Sequence, residues 1–359
     1  MRYDYDNLLE RRGAPFAMLA LGMAAAENQS EFATEIISRR FGANSRVALV
    51  AKGAEELGQL TEYDRIQLVS KGAVTAATGL AGNWSAALSA YFEAMGEFFD
   101  VQRYFEIPAS METVRRVSFH ARLIGAASGA TAAFVKSGAP APISSGVLTS
   151  DSLRPLKVAS TVFVSNEALE FGDPIALSAF ISDLASANAN AINVAFIDAS
   201  NAGVAEQTPA SVTNGVSAVT ATTDPRADIK GVLATHPNAH KSYVVGHPSL
   251  LAGMASAEFP NVGARGGEVG GVPALASAAV PDTDLVFIDG SGIALARGGV
   301  EISTAREASL IPSDAPSGAA TQVSLWQAGA TAVMTTQFVN WTKVRSNAVS
   351  VISGAAYGD

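Results

Sequence analysis

His236 and His240 stand four residues apart, the spacing at which one helical face could offer two imidazoles to a zinc ion. Pro237 lies between them and no HExxH glutamate accompanies them, so the pair reads as a polar loop flanking a strand at Lys241 to Val245. Gly263, Gly266, Gly267, Gly270 and Gly271 make a glycine-rich run of a kind that could wrap a phosphate. Their spacing fits neither GxGxxG nor GxxxxGKS/T, and Val272-Pro273 follows where a phosphate-holding helix would begin, so a tightly turning loop is expected. Asp289-Gly290-Ser291-Gly292 resembles part of a nucleophile elbow without its glycine spacing, and reads as a hairpin turn. The other carboxylates are scattered, and Asp173 before Pro174 is explained as a helix cap. These residues give no catalytic, metal-binding or cofactor-binding constellation and no cofactor, and an enzyme is not expected.

The elements that carry these residues point elsewhere. The 359 residues suffice for one large or two modest cores. Hydrophobic residues are 48% of the chain and charged ones only 16%, a balance that suggests apolar surface buried against neighbours. There is no cysteine, which rules out disulfides and thiol chemistry. A net charge of −9 offers no basic field for sequence-specific nucleic-acid recognition, though an acidic wall could face DNA without gripping it. Arg11 and Arg12 before the apolar residues 14–26 imitate a signal peptide, but Pro15, Gly22 and the acidic Asp4, Asp6 and Glu10 spoil it. Neither export nor a membrane partner is expected, since no apolar run reaches about 20 residues.

Residues 1–100 read as helical, with apolar periodicity at Phe32, Ile36 and Ile37 and at Trp84, Ala87, Leu88, Tyr91 and Phe92. Residues 114–123 read as strand. Residues 125–146 are almost all Gly, Ala, Ser and Pro around Phe134, Val135 and Lys136, an excursion that must lie on something else. Residues 156–165 read as a strand with Val158, Val162 and Val164 on one face, followed by a long helix from Pro174 to about Ile197. Residues 199–227 read as irregular. Then come buried strands at 244–248 and 285–288, a short helix at 248–254 and a β-rich stretch from 322.

This order, with Leu156-Lys157-Val158-Ala159-Ser160-Thr161-Val162-Phe163-Val164-Ser165-Asn166-Glu167-Ala168-Leu169 before the long helix, resembles the tailed-phage major capsid proteins of the Hong Kong 97 type. Ser242-Tyr243-Val244-Val245-Gly246-His247-Pro248 resembles a strand and helix of that family's axial domain. Gly271-Val272-Pro273-Ala274-Leu275 and the later Asp284 to Asp289 run resemble its paired strands. The resemblance covers roughly residues 95–359 and implies an α+β fold. Its parts would be an N-terminal helical arm (1–95), a peripheral domain (96–116 and 155–199, with the spine helix), an extended loop (117–154), an axial domain (200–321) and a peripheral return (322–359). It implies self-assembly into hexamers and pentamers of an icosahedral virion shell around dsDNA. Portal, scaffolding and decoration proteins are further implied partners. Assembly contacts would fall at Phe134, Val135 and Lys136 near the loop tip and at Gly263, Arg265 and Gly266 near a symmetry axis. Residues 1–100 do not resemble a coiled-coil scaffold, so a separate or absent scaffold is implied. The isopeptide crosslink of some members would need Lys136 with Asn340 or Asn347 and a glutamate that cannot be placed, so none is expected. The alternatives are an encapsulin-type compartment with the same fold, an α/β hydrolase, and a secreted adhesin or surface-layer protein.

Overall fold

The computed structural model describes residues 15, 18–19, 22–23, 30–59, 90–91, 93–95, 97, 102–103, 105–126, 148–166, 174–235, 239–256, 258–311 and 322–357. Among the described residues the helices with defined bounds include α1 (Ser30–Phe41), α2 (Arg46–Gln59) and the single turn α3 (Ile107–Ser110). Strands β1 (Arg115–Val117), β2 (Arg122–Ala126), β3 (Leu148–Ser152) and β4 (Leu156–Ser165) lead to the 24-residue helix α4 (Pro174–Ile197). Then follow β5 (Val219–Thr220), α5 (Pro225–Thr235), β6 (Ser242–Gly246), α6 (Pro248–Gly253), β7 (Val262–Gly263), β8 (Gly266–Val269), β9 (Val272–Ala276) and β10 (Leu285–Asp289). The chain closes with β11 (Ile293–Ala305), β12 (Ser309–Leu310), β13 (Val323–Ser324), β14 (Ala330–Lys343) and β15 (Val349–Ser353). The expected α+β class, with a ten-residue strand before one long helix, is what the chain forms.

Two compact units share this chain. The first comprises Met1–Tyr104, Lys157–Ala189 and Gly298–Phe338. Gly42, at φ +92, closes α1, and the Ser45 hydroxyl accepts the Ala48 amide at 3.2 Å to cap α2. Ile37, Val47, Ala48, Val50 and Ala51 then bury against Tyr91, Ala94, Met95, Ala185 and Val300. Of the sequence periodicity, Ile37 and Tyr91 are core residues, while Trp84, Ala87, Leu88 and Phe92 lie outside the described residues. In this unit portions of the strands lie in the order β11-β14-β4, with β4 at the edge among the described residues.

The second unit comprises Phe105–Leu156, Asn190–Arg297 and Val339–Asp359. Its sheet has seven strands in the order β5-β15-β10-β6-β9-β8-β7. β10 is buried at all five positions because it runs antiparallel between β6 and β15 and is covered on both faces. Phe287, Leu285 and Val244 pack with Ile229 and Val232 of α5, Leu250 and Leu251 of α6, and Tyr357 near the C-terminus. α6 starts as its sequence dictates: Pro248 occupies the first turn and the His247 ring accepts the Ser249 amide at 3.3 Å.

Three local expectations are corrected. Residues 114–123 form two short strands divided by a turn in which His120 takes φ +60. The glycine run 263–271 is not a loop but an antiparallel meander, β7-β8-β9. Gly270 and Gly271, at φ +58 and +83, supply the double left-handed turn that joins β8 to β9. Asp289 to Gly292 is not a hairpin turn either. Gly290–Gly292 is one 3-10 turn, after which the chain leaves the seven-stranded sheet and β11 pairs in parallel with β1. Packing demands glycine here, since a Cβ on Gly290 would stand 2.1 Å from Thr113 Oγ1.

Candidate assembly surface

Strand β4 alternates strictly: residues 157, 159, 161, 163 and 165 are exposed, and 158, 160, 162 and 164 are half-buried. On the half-buried side Ser160 Oγ lies 2.7 Å from Thr335 Oγ1 of β14, and Asn188 Nδ2 of α4 donates to the same oxygen at 3.1 Å. That face of the sheet therefore carries the long helix. Leu325 of the turn before β14 packs on Ala330 and Ala332, which alternation places on the opposite face. Phe163, 61% exposed, points to this same face. Asn166, just after β4, donates its amide to Gly329 O at 2.8 Å and accepts the Thr331 hydroxyl at 2.6 Å, tying the end of β4 to the start of β14. Phe163, Val323 and Trp326, the last 75% exposed, are exposed apolar side chains of this one unit. An edge strand beside exposed aromatics is what a soluble monomer ordinarily avoids.

The hairpin joining β7 and β8 holds Gly263, Arg265 and Gly266 at the edge of the seven-stranded sheet. Arg265 is exposed at the turn, Gly263 is half-buried and Gly266 is buried. A Cβ on Gly266 would lie 2.4 Å from Ala274 O, and one on Gly267 2.0 Å from Asn261 O, so the close strand approach excludes side chains there. Phe134, Val135 and Lys136 lie outside the described residues.

The polar interior of the second unit is occupied by structural bonds. Asp289, fully buried, accepts the Ser291 amide and hydroxyl at 3.0 and 2.7 Å and an Arg345 guanidinium nitrogen at 2.9 Å. Glu106 accepts a hydrogen bond from Arg297. The Asp228 carboxylate takes the Tyr357 hydroxyl at 2.6 Å and the Thr222 amide and hydroxyl at 2.7 and 2.8 Å. Burial pushes this carboxyl up, and the three bonds outweigh it, leaving its pKa below the ordinary 3.8. An open groove of about 520 Å³ is lined by Arg154, Glu206, Trp341 and Lys343 among others. Asn340 donates there to Arg154 O at 2.7 Å, and burial lowers the pKa of Lys343. His240 sits exposed in a 3-10 turn, while His236 and Pro237 lie outside the described residues. Among the described residues no group of three His, Asp or Glu side chains could hold a metal ion, and no helix is long and apolar enough to cross a membrane. The sequence reading missed Phe163 and Trp326. The alternation that puts Val158, Val162 and Val164 on one face already sends Phe163 to the other, whereas nothing local marks Trp326 as exposed.

No family model matches the chain. It is 30% identical over 324 residues to a capsid polyprotein of Pseudomonas phage PAJU2, the match covering 81% of this chain and 48% of that protein. The chain thus spans about half the length of this curated relative. Solved structures similar to it include one from Gordonia phage Cozz, at 16% identity and TM-score 0.47, covering 68% of this chain and 85% of that one. Another is the satellite phage P4 procapsid including its size determination protein, at 9% identity and TM-score 0.48, covering 84% of this chain and 99% of that one.

Proposed function

We propose that this chain, related by sequence to a phage capsid polyprotein, is the shell-building subunit of a tailed phage and has a structural rather than an enzymatic role. Copies of it form hexamers and pentamers that close into the icosahedral capsid of the virion around its dsDNA. The 30% identity over 324 residues is the observation that carries this reading. The element order and the exposed aromatics beside an edge strand support it, because a subunit that meets several neighbours can leave apolar surface open until they arrive. Weak pairwise contacts suffice, since each copy held by several others gains effective concentration. The axial part (200–321), the extended loop (117–154) with Phe134, Val135 and Lys136, and the Gly263–Arg265–Gly266 hairpin belong to this proposal as assembly elements. Portal, scaffolding and decoration proteins would be its other partners, and packaged DNA would meet it without sequence preference.

Sedimentation and negative-stain microscopy of the chain expressed alone test the reading. Closed particles, or rings of five and six, are expected. A stable monomer at high concentration would overturn it. DNA-free particles holding a cargo enzyme in the native host would instead favour a compartment shell.

A further inference from the structure

The second unit holds the chain's one Asn-Gly pair, Asn214-Gly215. It lies in the turn that follows the buried residues 211–213. Gly215 is exposed, takes φ +73, and has no atom within 4 Å of where a Cβ would stand. Among the described residues its N–H makes no backbone hydrogen bond, so no such bond has to break for the nitrogen to react. The turn is fixed on both sides, as Asn214 N donates to Ser211 O at 3.3 Å and Val216 N to Thr213 O at 3.0 Å. The Thr213 hydroxyl bonds back to Ile197 O and anchors the turn to the end of α4.

The peptide that joins Asn214 to Gly215 has an unusual neighbour. Lys343 Nζ, at the end of β14, donates to Asn214 O at 2.9 Å. That oxygen and the Gly215 nitrogen belong to one amide. Loss of the Gly215 proton spreads negative charge over both atoms, and a cation on the oxygen stabilises this anion. The Asn214 carboxamide is held as well, its Nδ2 donating to Ala199 O at 2.8 Å.

We infer that Asn214-Gly215 is a site of spontaneous covalent modification, in which the chain converts Asn214 to an acidic residue through a cyclic imide, with Lys343 activating the peptide nitrogen. In the first step Gly215 N gives up its proton and bonds to Asn214 Cγ, the Cγ–Nδ2 bond breaks, and the proton leaves with the nitrogen as ammonia. In the second, one water adds across an imide C–N bond and yields aspartate or isoaspartate. No oxidation or reduction occurs. Each event adds one negative charge per copy beside Lys343. Asparagine is thermolabile in general, but the open Gly215 and the lysine on the shared amide single out this one.

The test is peptide mapping by mass spectrometry of the full-length protein aged in mildly alkaline buffer, with isoaspartate measured alongside. Conversion at Asn214 is expected to outrun that at Asn201, Asn340 and Asn347 several-fold. Lys343→Met is expected to slow it several-fold, provided circular dichroism shows the fold unchanged. Asn214→Gln is expected to remove the signal at this position. Conversion of Asn214 no faster than the other three, or an undiminished rate in a folded Lys343→Met protein, would overturn the assignment. Should Lys343→Met fail to fold, acetylation of lysines on the folded protein removes the same charge and must slow the reaction.

Discussion

Among single residues, the Asp228 carboxylate carries the clearest consequence. It is nearly buried, and accepts three hydrogen bonds that join α5, the preceding turn and the C-terminal Tyr357. A hydrogen bond to a charged group contributes about 1.5–3 kcal/mol. Tyr357→Phe should lower unfolding stability by about that amount, measurable by urea titration of the dissociated subunit. The sign of the pH effect follows from the lowered carboxyl pKa. The ionised form is preferred in the folded state, so its contribution is complete above the unfolded value of 3.8 and is lost as pH falls through the lower folded value. Asp228→Asn should therefore destabilise at neutral pH and show a shallower loss of stability in acid than the parent. Equal acid sensitivity in the two proteins would place the acid-labile group elsewhere.

Elements made from local periodicity were legible in the sequence, and those made by distant pairing were not. The strand Leu156–Ser165 shows strict alternation, the helix Pro174–Ile197 begins with proline and repeats at helical spacing, and Pro248 starts the short helix after His247. The β7-β8-β9 meander is not legible because glycine signals turn and loop alike, and only pairing with the next strand, Gly267 opposite Ala274, makes residues 266–269 a strand. Asp289-Gly290-Ser291-Gly292 looked like a hairpin turn for a similar reason. The strands beside β10 are β6 and β15, both distant in sequence, so the local motif could not reveal that the chain leaves the sheet there. The candidate surface was half legible. Arg265 could be placed at a turn, whereas Trp326 depended on the packing of Leu325 beneath it. At this scale Gly267→Ala should cost more than about 1–3 kcal/mol, the price of a strained backbone, because its Cβ must also displace Asn261 O. Thr335→Val tests how α4 is held on its sheet. Among the described residues Asn188 Oδ1 has no hydrogen-bond partner, and the substitution removes the acceptor of its nitrogen, so a loss of about 1–3 kcal/mol is expected in thermal unfolding.

For the whole molecule the proposed shell role raises the question of which force would bring copies together. Each carries a net charge of −9, so copies repel one another at low ionic strength. Charged residues are only 16% of the chain, which leaves few ion pairs to form between subunits. The exposed ion pairs Arg39–Glu35 and Arg154–Glu206 are already closed within one chain. In the proposed shell, association would therefore draw on apolar surface such as Phe163, Val323 and Trp326, which salt does not weaken. Raising the salt from low concentration to about 0.5 M shortens the screening length well below about 10 Å and removes the repulsion. Light scattering should then show a lower protein concentration at the onset of assembly. A paired Phe163→Ser and Trp326→Ser protein should keep the parent's unfolding midpoint, since both side chains are mostly in water, and should need a higher concentration to assemble at every salt level. An onset that moves upward with salt would mean that ion pairs between subunits outweigh the apolar contacts, and the search for the interface would turn to Arg265 and the other exposed charges.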